Sequence, residues 1–66
     1  MTTTKIYRLD EMIKCAGREL GLRRALYPRQ IRVGRITQED ADREIALMAA
    51  IYERLKLDRD RETEGR

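Results

Sequence analysis

Residues 25–41 read ALYPRQIRVGRITQEDA, and the way this stretch turns decides the fold. Pro28 is the chain's only proline. Its nitrogen carries no hydrogen to donate, and its ring crowds the preceding helical turn. Tyr27, just before it, is pushed toward extended angles. A helix arriving from the N-terminal side is therefore expected to end near Leu26 or to kink there. The residues that follow, RQIRV, predict a short helical extension over 28–33, with Pro28 in a first turn where its missing N–H costs nothing. Gly34 supplies the positive-φ stop. Thr37 then caps a second helix, with Asp40 at the position from which an acidic side chain reaches back. Ile36 before the cap and Ala41 four residues into the helix form a hydrophobic staple. The stretch is thus a helix end, a glycine stop and a new helix start, which makes the fold all-α: a helical hairpin with antiparallel arms.

Moving outward, the second arm shows apolar residues at Ala41, Ile45, Met48, Tyr52 and Leu55, in alternating steps of four and three. That is the seam of a packed helix, predicted over 38–57. Leu47, Ala49 and Ile51 widen the apolar surface beyond one stripe. Glu39, Asp40 and Asp42 place negative charge at the positive end of the helix dipole. The first arm repeats the step at Leu9, Ile13, Ala16 and Leu20, with Met12 beside them, and predicts a helix over 9–26. Its start is open between a cap at Asp10 and one at Thr4. Gly17 and Gly21, four residues apart, either let another helix come close or simply weaken and bend this one, and the second reading is preferred. Residues 1–57 make one domain. The segment 58–66 alternates charge without an apolar residue and is expected to be a flexible tail.

Two arms of this kind carry more apolar surface than they can hide against each other. Met12, Leu22 and Leu26 flank one seam, and Leu47 and Ile51 flank the other. If that flank covers about 400 Å², burying it is worth roughly 10 kcal/mol gross at about 25 cal/mol per Å². A homodimer that closes into a four-helix arrangement is the expected outcome.

Composition narrows the chemistry. A chain of 66 residues with a single cysteine, Cys15, has no internal disulfide, and with no histidine it offers no thiol–imidazole metal site. Cys15 is expected to be a small buried hydrophobe. There is no serine, asparagine, tryptophan or phenylalanine either, so neither a Ser–His nor a Cys–His pair can be assembled. Glu39, Asp40, Asp42 and Glu44 are expected to be solvated in a first helical turn. No enzyme, no cofactor and no metal is expected. No stretch approaches the ~20 apolar residues of a membrane span, and MTTTKIYRLDE lacks a signal-peptide core. The expected location is a reducing cytoplasm, where a free thiol is unremarkable.

Charge is uneven. Residues 1–36 carry nine basic and three acidic side chains, and residues 37–66 carry six and nine. Arg23, Arg24, Arg29, Arg32 and Arg35 cluster around the bend with no acid among them. Three readings stay open: phosphate binding, a solvated or internally paired surface, and a protein partner with an acidic face. Only three tyrosines are present to stack on bases, which favours the protein partner. Tyr27 and Pro28 join the five arginines as candidate contact residues, because tyrosine and arginine concentrate interface energy. Tyr27 serves equally well as a plug at the end of the hairpin core.

Tyr27–Pro28, the turn Gly34–Thr37 and the opening Ala41–Arg43 resemble the pattern of small helical proteins from the early region of Mu-like transposable phages. The resemblance spans about Asp10 to Leu55. It implies a phage protein acting on a bacterial host, and one protein of that kind is an anti-activator that inhibits a quorum-sensing transcription activator. The resemblance therefore implies a module that sequesters or inhibits a host protein. The alternative is a small basic nucleic-acid-binding regulatory protein.

Overall fold

In the computed structural model, which describes residues 6–64, the chain forms two α-helices packed against each other. Helix α1 spans Leu9–Arg32 and α2 spans Gln38–Glu64. A five-residue turn joins them as antiparallel arms.

The turn follows from its chemistry. Gly34 has φ +78, the left-handed angle that glycine adopts without a Cβ clash. Arg35 N–H donates to the Gln30 carbonyl at 2.9 Å, and Gly34 N–H donates to the Ile31 carbonyl at 3.1 Å. Together these are the paired bonds of a Schellman stop, which satisfy two carbonyls the helix end would leave open. The next helix then starts at once. Thr37 Oγ1 accepts from the Asp40 N–H at 3.0 Å, and the Thr37 carbonyl accepts from Ala41 N–H at 2.9 Å.

Helix α1 starts at Leu9 and the extension expected over 28–33 is helical to Arg32, while one cap and two helix ends differ from expectation. Helix α1 does not stop at Leu26, because Pro28 lies inside it and residues 27–32 continue the same helix. The lost proline bond is local. Tyr27, seven residues past Leu20, and Ile31, four further on, stay on the inward face and are half-buried, so packing holds the last turns. Asp10 is not the N-cap. Arg8 holds that place with no side-chain capping bond, and its carbonyl accepts from Glu11 and Met12, both at 3.1 Å. Asp10 and Glu11 instead sit in the first turn, where carboxylates favour the helix dipole. Thr4, the alternative cap, lies outside the described residues. At the far end, the segment expected to be a tail from 58 on is helical through Glu64. Arg54 and Asp58 pair across one turn at 3.4 Å, and Lys56 reaches Glu53 at 3.0 Å. Such exposed pairs are worth a few tenths of a kcal/mol each, and the arginines and glutamates of the segment favour the helix while its aspartates and threonine do not.

The interior is small. Ile13, Ala16, Leu20 and Ala41 are the buried side chains, at 7%, 5%, 6% and 1% exposure. Leu9, Ile36, Ile45, Met48, Tyr52 and Leu55 border them half-buried, as does Met12. Ile51 is exposed and takes no part in the interior. Cys15, expected to be buried, is also exposed, because it lies one residue off the Ala16 face. The molecule measures 49 × 35 × 15 Å, so it is one helix layer thick.

The two glycines of α1 separate cleanly. A β-carbon at Gly17 would stand 3.1 Å from Tyr52 Cε1, whereas nothing lies within 4 Å of one at Gly21. Gly17 is therefore a place of close approach, against the preferred reading of the sequence, and Gly21 is only a weak point in the helix. Gly21→Ala is expected to stabilise the fold by about 0.5–1 kcal/mol. Gly17→Ala should fall short of that gain because it must displace the tyrosine ring. Gly34→Ala should destabilise by about 1 kcal/mol. Urea unfolding followed by circular dichroism, at one protein concentration, ranks the three.

Candidate partner-binding surface

The five arginines near the bend do not form one patch. In a helix each residue turns the side chain by about 100°, so neighbours in sequence part company. Arg23 points across the hairpin. Its Nε donates to Glu19 Oε1 at 3.0 Å, and its Nη1 donates to the Glu44 backbone carbonyl of α2 at 2.8 Å, with the Glu44 carboxylate at 3.5 Å. One planar guanidinium thus ties a turn of α1 to the body of α2, which a fork-shaped cation does well and a point charge does not. The Glu19 hydrogen bond holds the Arg23 pKa above its ordinary value, against a lowering by desolvation. A raised pKa on a cation means its stabilisation is complete below the unfolded value and is lost only as pH climbs through the folded one. That crossing lies beyond any working pH, so this tie contributes no pH dependence from the arginine side.

Arg24, Pro28 and Arg32 are spaced four apart and form one exposed row on α1. Arg35 continues from it in the turn, also exposed. Tyr27 stands beside the row, half-buried, toward the turn end of the hairpin. Arg29 turns about 140° away from Arg24 and falls instead among apolar neighbours. With Leu26, Gln30, Val33 and Arg35 it lines a shallow depression of about 290 Å³. Arg24, Arg29, Arg32 and Arg35 make no ion pair among the described residues. They are charged donors with their bonding capacity unspent.

The opposite broad face is apolar. Glu19 and Glu44 both meet Arg23, so the flanks of α1 and α2 that carry them border the same face. Steps of three and seven from Glu19 reach Leu22 and Leu26, and the same steps from Glu44 reach Leu47 and Ile51. All four are exposed large apolar side chains. Near the start of α1, Tyr7, Glu11, Met12 and Cys15 line a second depression of about 330 Å³.

The carboxylates near the start of α2 make no constellation. Glu39, Asp40 and Asp42 are exposed, Asp42 accepts from the Gln38 amide at 2.9 Å, and Glu44 belongs to the Arg23 tie. Among the described residues no three His, Cys, Asp or Glu side chains gather to hold a metal ion, and no helix is long and apolar enough to cross a membrane.

Internal pairing, one of the three readings of the arginines, holds for Arg23 alone among the five, through Glu19 and Glu44. The i,i+4 spacing of Glu19 and Arg23 was a usable signal for the first half of this tie. The reach to Glu44 depends on how the arms align, which spacing alone does not give.

No protein-family model, no curated protein and no solved structure matches the chain.

Arg23→Ala is expected to lower the unfolding midpoint, and Arg23→Lys to recover little of it, since one ammonium cannot serve Glu19 and the Glu44 carbonyl together. Arg24→Ala, one residue away, should leave the midpoint unchanged. Thermal unfolding by circular dichroism compares the three.

Proposed function

We propose that this chain is a dimeric protein-binding module that captures a bacterial host protein through the arginine row at its bend and performs no chemistry itself. The observation that carries the reading is the row Arg24–Pro28–Arg32 with Arg35. Among the described residues these three arginines are exposed and unpaired, two of them on α1 next to a half-buried tyrosine and Arg35 in the turn that follows. Arginine presents a planar fork suited to carboxylates, and immobile donors lose less entropy on binding than flexible ones. An acidic protein face, not an apolar groove, is the complementary partner.

The apolar face supports the dimer. A compact monomer of 7.8 kDa exposes roughly 4,400 Å², while this chain exposes 5812 Å². The excess is about 1,400 Å², more than the ~800 Å² each partner contributes to an interface of standard size. Covering it with a second copy gives the four-helix arrangement that two short arms cannot complete alone. The resemblance to phage early-region proteins supplies the class of partner, a host regulator held in an inactive complex, with a transcription activator of the quorum-sensing type as the model.

Binding by the row is tested by affinity capture from bacterial lysate with wild-type chain and with the triple variant Arg24→Ala, Arg32→Ala, Arg35→Ala. The wild type is expected to retain a defined protein that the variant loses, with helicity unchanged by circular dichroism. A mobility-shift series with duplex DNA should show no complex at physiological salt. A complex that forms there and weakens steeply with added salt would mean the arginines neutralise phosphates instead.

A further inference from the structure

The exposed flank of α1 has an internal symmetry. Cys15, Glu19, Leu22, Leu26, Arg29 and Val33 follow one another in steps of four, three, four, three and four, the spacing of a coiled-coil seam. Of these side chains only Glu19 takes part in holding the hairpin, through Arg23. Leu22, Leu26 and Val33 are 48%, 52% and 59% exposed, and Cys15 and Arg29 are exposed as well. Read from both ends toward Arg24, the row is complementary to its own reverse. Leu22 mirrors Leu26, Glu19 mirrors Arg29, and Cys15 mirrors Val33.

We propose that a second copy of this chain docks antiparallel along this row, about a two-fold axis level with Arg24. The axis stacks Leu22 of each copy on Leu26 of the other and brings Glu19 of each to Arg29 of the other. The proposal deepens the dimer reading above and rests on it. Antiparallel seams pair one heptad position with the other across each layer, and every layer of this row then matches apolar with apolar or acid with base. A parallel seam would set Glu19 against Glu19 and Arg29 against Arg29, two like-charge contacts that a specific interface avoids. The bonding inventory agrees. Glu19 spends Oε1 on Arg23, which leaves its second oxygen for an incoming guanidinium. Arg29 has no partner among the described residues. This assignment removes Arg29 from the partner-binding set and leaves Arg24 and Arg32 on another side of α1, with Arg35 in the turn between the two.

The chain's own thiol reports the geometry. Each Cys15 lies nine residues from the axis, so the two thiols of a dimer are about 27 Å apart at 1.5 Å per residue, far beyond disulfide reach. Val33→Cys would place a thiol opposite Cys15 of the second copy. The experiment oxidises the full-length wild type and Val33→Cys with diamide at about 10 µM and reads both on a non-reducing gel. Multi-angle light scattering of the unoxidised samples gives the mass. The expected result is a dimer mass for both, with a covalent dimer for Val33→Cys and none for the wild type. Arg29→Glu should weaken dimerisation at least tenfold at unchanged helicity, whereas Arg24→Glu, on the other side of α1, should not. A wild-type disulfide dimer would overturn the proposal in favour of a parallel seam. Dimers of Val33→Cys that fail to cross-link would overturn it while leaving the dimer itself standing. A monomer mass at this concentration would overturn both, without touching the capture assay above.

Discussion

Two helices laid side by side can shelter one face each, and everything else they carry meets solvent. That constraint governs this molecule. A layer 15 Å thick has room for Ile13, Ala16, Leu20 and Ala41 in its interior and for no large side chain wholly out of water. Most domains bury their apolar faces between two layers, and here there is one. With so little greasy contact, the alignment of the arms depends on specific devices. Gly17 admits the Tyr52 ring. Arg23 spans from Glu19 to the Glu44 carbonyl. The Gly34 stop and the Thr37 cap set the turn. Each fixes a distance or an angle that hydrophobic burial alone would leave loose.

The same thinness gives the hairpin two broad faces of different character. The flank of α1 beside Glu19 and the flank of α2 beside Glu44 bring Leu22, Leu26, Leu47 and Ile51 to one side. The row Arg24, Pro28, Arg32 takes another direction around the helix. Surfaces so divided can meet two partners at once without competition, the apolar one by exclusion of water and the basic one by charge-assisted hydrogen bonds. The proposed module uses this division: self-association on one side, capture on the other.

Much of the fold was legible because its signals are local. A glycine stop followed by Thr37 and acids marks a turn whatever surrounds it, and four-three spacing marks the inward faces of both arms. What escaped depended on contacts between distant residues. Pro28 should end a helix on steric grounds, yet half-buried Tyr27 and Ile31 carry α1 past it. Gly17 and Gly21 look alike in sequence, and only the position of Tyr52 tells them apart. Arg23 and Arg24 are adjacent and chemically identical, but one is consumed by the fold and the other is offered to solvent. The candidate site was therefore legible as a set of residue types and illegible as a geometry, since a turn of 100° per residue scatters a run of arginines that reads as one cluster on the page.

A molecule with four sheltered positions places few demands on the rest of its sequence. Substitution at a surface position away from such structural devices typically moves stability by no more than about half a kcal/mol, so the outer residues of both arms can drift while the hairpin persists. The proposed capture surface could accordingly be recast by changing a few exposed side chains without disturbing the turn, the Arg23 tie or the Gly17 contact.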